Sequence, residues 1–423
     1  MIRSGRVILA LAVLMLLPAA AEAQRDTRQT REASKYLGLA MTRQDPAQRN
    51  EMYEQAMTHL RQGMEQDANN AKVWLLAGQV YAGMGSMTEA DAAFLRAVEI
   101  HPEYAEEIAQ EREQAWVDKF NEGIGLMDEQ RYEEAIAALE QAQVIYKQRP
   151  EALMNLGALY ANRQENAKAR DAFEQAVEST RGPLFEQLDE EGQESWLRFR
   201  DMATLNVAQM AAQEGVDAFE ARRYADAAEL FKRAAKVNPQ ARDYIFNHVQ
   251  SLWALTSDLE DVVEANAEGA AQARQQLLDL YPEIEQLAAA TRKLDPNNEL
   301  LFLIEARSSR MRGDLLGTEP ERDAGHQAAL KLLQEHDALP WIMEELIVIS
   351  GAEGTVLRGA IKNRKLEVGT PVQIEFSLVD LDGDVVGTQV ITVTAPAAEE
   401  TASFEGRVDV EGEMAGWRYA PRS

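Results

Sequence analysis

Cysteine is absent from this 423-residue chain. That excludes a disulfide framework, a thiolate zinc site, an iron–sulfur cluster, a cysteine nucleophile and a lipid-anchor cysteine near the N-terminus. Histidine is scarce, with only His59, His101, His248, His326 and His336. No two of these stand four residues apart beside a carboxylate, so no helical zinc site is expected. Basic residues are in deficit: 43 Lys and Arg against 71 Asp and Glu give a formal net charge of −28. Nucleic acid and anionic membrane surfaces reward clustered cations, so neither is expected as a main partner.

Catalytic signatures are also missing. There is no Gly-x-Ser-x-Gly elbow and no Walker motif. Gly123-Ile124-Gly125 lies inside a helical period, whereas a phosphate loop follows a strand. Asp380, Asp382, Gly383 and Asp384 resemble the start of a calcium loop. The closing Glu that such a loop needs at its twelfth position is replaced by Ile391. No catalytic residue, cofactor or metal is therefore expected, and the chain reads as a non-enzyme.

Long apolar runs are confined to the start. Arg3 and Arg6 precede the apolar stretch from Val7 to Leu17, and Pro18 and Ala21-Glu22-Ala23 follow. The stretch is too short to span a bilayer, and its end fits a small-x-small cleavage site. Residues 1–23 therefore read as a signal peptide cleaved after Ala23, with no transmembrane anchor in the mature chain. Such a signal on an acidic, disulfide-free protein suits export to a bacterial periplasm or cell envelope. Periplasmic and secreted destinations stay open.

What the chain does have is a repeat. Gly123, Ala135, Leu139 and Ala142 recur as Gly157, Ala169, Phe173 and Ala176, each 34 positions later. The same spacing joins Gly78, Ala90, Phe94 and Ala97, and again Gly215, Ala227, Phe231 and Ala234. Small residues at these places let two helices cross closely, while the aromatic positions fill the space between neighbouring hairpins. A period of this length means stacked helical hairpins. Residues 71–104 carry Trp74, Gly78, Tyr81, Ala90, Phe94, Ala97 and Pro102, with Ala77 the one departure from the pattern. This resembles the tetratricopeptide repeat (TPR). Acidic insertions, Glu103 to Glu113 and Gly182 to Gly192, interrupt the repeat twice. The first implies an extended helix through Trp116 and Phe120, and the second leads into a long helix over 194–221. The signature fades after Pro239 while helical periodicity continues. Leu300 to Met311 and Gln327 to Glu335 read as a last hairpin around a long loop containing Gly and Pro.

At Asp337-Ala338-Leu339-Pro340 the period becomes alternating. Strands are expected over 346–349, 356–361, 372–379, 385–393, 402–410 and 417–419, with Asp382-Gly383 as a hairpin turn. Gly359-Ala360-Ile361-Lys362-Asn363 resembles the Gly-x-Val-x-Asn strand of the FxLYD family, and Phe376-Ser377-Leu378-Val379-Asp380 resembles its name motif, with Val379 in place of Tyr. The resemblance implies a small non-catalytic sandwich found in exported bacterial proteins.

The fold expected is multidomain and mostly α: a TPR-like α-α superhelix (solenoid), then a small antiparallel immunoglobulin-like β-sandwich. The segments are 1–23 signal peptide, 24–240 TPR-like repeats, 241–340 degenerate repeats and cap, and 341–423 FxLYD-like domain. First helices of TPR hairpins line a groove. The spacing maps Lys72, Leu75, Gln79, Phe120, Ile124, Met127, Met154, Ala158 and Asn162 onto it, followed by Gln209, Val216 and Phe219. The lining is mixed and largely apolar, so other proteins or peptides are the expected partners and an adaptor role the expected function. A covering of the groove by inserted helices or the β-domain stays open. The alternative is an envelope module for a peptide or cell-wall glycan, with Trp253 and Trp417 as exposed stacking platforms.

Overall fold

Fourteen helices precede six strands among the described residues of the computed structural model, which are 25–266, 268–351, 354–410 and 412–422. The expected signal peptide, residues 1–23, lies outside them. None of the described helices is long and apolar enough to cross a membrane. Contacts divide the chain into two compact units, one ending at Phe199 and the other beginning at Arg200.

In the first unit the helices are α1 (Arg28–Thr42), α2 (Pro46–Gln66), α3 (Ala71–Gly83), α4 (Met87–Ile100), α5 (Ala105–Asp128), α6 (Tyr132–Ile145), α7 (Glu151–Asn162), α8 (Asn166–Ser179) and the start of α9 (Glu190–Glu220). They pair as antiparallel hairpins α1–α2, α3–α4, α5–α6 and α7–α8. Local signals set the starts. Thr27 and Thr30 form a capping box at α1, Asp45 caps α2 ahead of Pro46, and Asn70 caps α3. The acidic insertion expected at 103–113 is helical, so α5 starts three turns earlier than a standard repeat requires.

The small positions of the repeat sit where the helices cross. A Cβ on Gly78 would lie 2.4 Å from the ring of Phe94, and one on Gly157 2.5 Å from that of Phe173. Both rings are buried. A single turn geometry then recurs at the ends of α3, α5, α7 and α9, though not between α1 and α2. Gly85, Gln130, Gln164 and Arg222 all adopt positive φ. The amide of the next residue reaches back five positions in every case: Ser86 to Tyr81 O, Arg131 to Leu126 O, Glu165 to Tyr160 O and Arg223 to Ala218 O. This is the Schellman closure, which satisfies carbonyls that a helix end leaves open. Three of the four left-handed positions are filled by residues with side chains.

The second unit holds the rest of α9, then α10 (Tyr224–Val237), α11 (Arg242–Glu264), α12 (Ala270–Leu294), α13 (Glu299–Leu316) and α14 (Glu319–Ala338). From α10 on, each helix packs on the next. The long loop expected between the last two is a correction. Only Gly317 and Thr318 separate α13 from α14. Gly317 takes φ +87° to end α13, and Thr318 forms a capping box with Glu321. Pro320 sits in the first turn of α14, where its missing N–H costs nothing. Gly313 and Gly325 belong to the helices and mark their crossing. A Cβ on Gly325 would lie 2.5 Å from Ser309 O.

The strands are β1 (Trp341–Gly351), β2 (Gly354–Asn363), β3 (Pro371–Val379), β4 (Val385–Thr394), β5 (Thr401–Val408) and β6 (Gly416–Arg422). They form two antiparallel three-stranded sheets, ordered β1-β2-β5 and β4-β3-β6. Leu357, Ile361, Ile374, Phe376 and Leu378 form the fully buried centre of the core they share. All six expected strands are present, and β1 starts earlier than its expected 346. Asp380 closes the β3–β4 turn by accepting hydrogen bonds from the amides of Asp382 and Asp384 at 3.1 and 2.9 Å. Gly383 supplies φ +88° there.

Residues 241–340 and 341–423 share one compact unit. Helices α11 and α12 pack on β6, and α13 packs on β1. A buried polar cluster joins them. Tyr419 donates its hydroxyl proton to Asp295 Oδ1 and accepts the Asn297 amide at 3.1 Å. Asn297 also donates from Nδ2 to Trp341 O at 2.8 Å and accepts the Met343 amide at 2.9 Å. Asp295 is ion-paired with Arg242, whose guanidinium lies 4.0 Å from the Phe246 ring centre and 5.4 Å from that of Trp417. Asn238 donates to Ala415 O at 2.7 Å. Burial, then the Asp295 carboxylate, pushes the Tyr419 phenol well above its ordinary value, so it stays a donor.

Candidate interaction groove

First helices of successive hairpins should line the concave face of a TPR stack. In the first unit, a cleft of about 570 Å³ opens between α1, α2, α3 and α5. Tyr53 of α2 forms part of its wall and is packed so closely on Gly83 that any Cβ there would meet the phenol ring at 2.4 Å. Burial raises the Tyr53 pKa, leaving its hydroxyl protonated. Gln79 donates from Nε2 to Glu111 Oε1 at 2.8 Å, across from α3 to α5. Glu111 comes from the acidic insertion, so the added turns of α5 place a carboxylate in the cleft. Further along α5, Gln114 donates to Asp118 at 3.0 Å and Lys119 pairs with Glu122 at 2.7 Å. Asn50 and Arg49 complete the rim.

The positions mapped from sequence fall into three groups. Gln79 lies in the cleft. Leu75 and Met154 are buried at 5% and 8% exposure, so they serve the core and present nothing to a partner. The remaining positions are at least partly accessible. Lys72 is tied to Asp26 at 3.1 Å. Phe120 stacks on buried Trp116 at 4.9 Å and 7°. Ile124 and Met127 are half-buried, while Ala158 and Asn162 are exposed. In the second unit Gln209 is exposed and Val216 half-buried, and half-buried Phe219 packs edge-on against Tyr224 at 5.2 Å.

Sequence reasoning missed Tyr53, Glu111, Gln114 and Asp118. Tyr53 belongs to a second helix, which the repeat rule excludes from the groove. Glu111 lies on an insertion that the repeat pattern does not number, and Gln114 and Asp118 follow directly after it on α5. The insertion also carries a clasp. Arg149 bridges Glu113 at 3.1 Å and Glu151 at 2.9 Å and lies 4.7 Å above the Trp116 ring. Buried Trp196, in the turn of α9 that follows the second insertion, donates its indole N–H to the same Glu151 at 3.2 Å. Both insertions are thus anchored on one carboxylate.

The aromatics proposed as stacking platforms do not stand free. Trp417 is 5% exposed, within the sandwich core, and Trp253 is half-buried beneath the Arg307 guanidinium at 5.0 Å. The histidines gather no metal set, and no cluster of metal-ligating side chains occurs among the described residues.

Family models for the tetratricopeptide repeat match residues 71–104 and 120–183. No curated protein matches the chain. Among solved structures, PilF of Pseudomonas aeruginosa aligns at 21% identity over 60% of this chain and 95% of its own, with a TM-score of 0.19. The TPR2AB domain of yeast Sti1, solved as a pHSP90 complex, aligns at 15% identity over 63% and 96%, with a TM-score of 0.20. Yeast Tom70 aligns at 12% identity over 77% and 72%, also with a TM-score of 0.20. The assignment rests on the family models and the hairpin geometry. Residues 71–104 and 120–183 of this chain, which hold the hairpins α3–α4 and α7–α8 and the part of α5–α6 from Phe120 on, carry tetratricopeptide repeats.

Proposed function

We propose that this protein is an exported, non-enzymatic adaptor that holds a segment of a partner protein in the cleft between α1, α2, α3 and α5. Repeat stacks of this kind generally work by presenting extended concave surfaces to other proteins. The observation that carries the reading is the cleft itself: about 570 Å³, open, and lined by hydrogen-bonding groups rather than a closed set of acid, base and nucleophile. Asn50, Gln79 and Gln114 offer donors and acceptors, while buried Tyr53 backs the wall. Glu111, Asp118 and Glu122 outnumber Arg49 and Lys119, so a polar segment carrying Lys or Arg is the preferred guest.

The test is capture of partners from envelope extract by the purified protein, compared with an Asn50→Ala/Gln79→Ala double variant. Loss of a specific partner in the variant, with the unfolding midpoint retained, supports the cleft. Retention there with loss on Phe120→Glu/Ile124→Glu moves the site to the mapped apolar face instead. Export belongs to the same proposal and rests on Arg3, Arg6, the apolar run and Ala21-Glu22-Ala23. Mass spectrometry of protein recovered by osmotic shock should give Gln24 as the first residue; an intact Met1 overturns it. An FxLYD-like identity for residues 341–423 is supported by two motif residues with clear jobs. Asn363 makes three hydrogen bonds to Leu366 and Pro396, and Asp380 caps the β3–β4 turn.

A further inference from the structure

β1 is an edge strand. Its only strand neighbour among the described residues is β2. Its start is covered, since the Met343 amide bonds to Asn297 O. Beyond a bulge at Met343/Glu345, the outer edge faces no strand. Protein edges are commonly blunted by proline, lysine or short length. Here the sequence from Leu346 to Ser350 has none of these, and Ile347 and Ile349 are 53% and 51% exposed on one face. On the other face a cleft of about 470 Å³ adjoins Val348 and Ser350, walled by Met202, Leu205 and Gln209 of α9. Unpaired backbone groups thus run between two places for alternate side chains, which is the arrangement a docked strand uses.

The charges choose the occupant. Glu344 and Glu345 are exposed at the start of the edge, and Glu413 lies in the cleft wall. The cations on neighbouring β2 already hold carboxylates: Arg358 pairs with Glu405 at 2.9 Å and Lys362 with Glu399 at 3.0 Å. The edge is therefore acidic and seeks an external cation. Two copies of this chain, each at −28, repel one another. We infer that β1 accepts, by strand addition, an extended segment of a partner protein with aliphatic residues at alternate positions and Lys or Arg at its ends. This site is separate from the TPR cleft.

The probe is an eight-residue peptide with valine at alternate positions, threonine between them and lysine at both ends. Its twin carries glutamate at the ends. Fluorescence anisotropy with the purified protein should show the lysine form binding at least about tenfold more tightly. Ile347→Lys/Ile349→Lys should weaken it by about tenfold, the loss of two cross-strand pairs. Amide hydrogen exchange of the unaltered protein should slow over residues 345–350 when the lysine peptide is added, a readout that no variant's folding affects. Unchanged exchange there, or equal affinity for the twin peptides, overturns the inference. So does a concentration-dependent dimer that protects the same amides without peptide, because it makes a second copy the occupant. Asn50→Ala/Gln79→Ala should leave peptide binding intact, so failure here and failure of the cleft reading are distinguishable.

Discussion

The Tyr419 hydroxyl sits 2.7 Å from Asp295 Oδ1, although the two residues are 124 positions apart. Asp295 is 2% exposed and carries the charge that balances buried Arg242. Removing Asp295 leaves buried Arg242 only the more exposed Asp243 carboxylate, at 3.0 Å. Asp295→Ala should therefore destabilise the second unit by about 3–5 kcal/mol. Tyr419→Phe, which leaves the ion pair but removes one donor, should cost about 1–3 kcal/mol. Urea unfolding followed by circular dichroism and tryptophan fluorescence checks both, and the two signals should move together because the cluster joins helices to sheet.

Three hairpin turns spend conformational energy that the first TPR hairpin avoids. Gln164 stands at φ 62° where Gly85 stands at φ 79° in the equivalent turn. Gln164→Gly should stabilise by about 0.5–1 kcal/mol, and Gly85→Gln should lose a similar amount. Chemical denaturation midpoints of the two variants should move in opposite directions. Equal shifts would mean that the left-handed geometry is not what these turns share.

Glycines inside helices should divide sharply. A Cβ on Gly325 meets Ser309 O at 2.5 Å and the Gly313 backbone at 3.0 Å, and backbone cannot swing aside. Gly325→Ala should cost about 1–3 kcal/mol. Gly38, exposed in α1 with nothing within 4 Å, should gain up to about 1 kcal/mol on substitution by Ala. Thermal melts of the two variants compare them directly.

Burial holds the His248 imidazole below its ordinary value, ahead of the opposing effects of Glu283 and Lys232. The unfolded chain therefore takes up the proton first. The stability this residue contributes is fully present above about pH 6.5 and is lost as pH falls below it. Between pH 7 and 5 the unfolding free energy of the unaltered protein should fall more steeply than that of His248→Asn. The difference in slope is bounded by about 1.4 kcal/mol per pH unit. Parallel curves would show that His248 titrates alike in both states.

The sequence displayed whatever is decided by neighbours at a fixed spacing. Gly78 with Phe94 and Gly157 with Phe173 announced the hairpin crossings. The alternation at Val372, Ile374, Phe376 and Leu378 announced a strand with one buried face, and all but Val372 of these are fully buried. Gly313 and Gly325 misled because glycine serves loops and close crossings equally. Only the partner helix distinguishes them. Leu75 and Met154 occupy the groove-side positions of their repeats, yet both are buried, and the repeat spacing alone does not carry burial. Glu111 was invisible as a site residue because the period does not count inserted turns. The Asp295–Tyr419 cluster has no local pattern at all, since its members meet only in the folded chain.

That cluster also sets a timetable. Hairpins α3–α4, α5–α6 and α7–α8 close between neighbours in sequence, and such contacts form early and fast. In the second unit α11 and α12 pack first on their sequence neighbours, but their junction with the sheet closes only when β6 arrives: Asn238 meets Ala415 across 177 positions, and Asn297 meets Tyr419 across 122. Closing loops of that length is slow. Until then Asn238, Asp295 and Asn297 lack their strand partners, and β3 lacks the neighbour on one side. The first unit should therefore close ahead of the second, and protease sensitivity during refolding should persist longest in the segment that residues 416–422 lock into place.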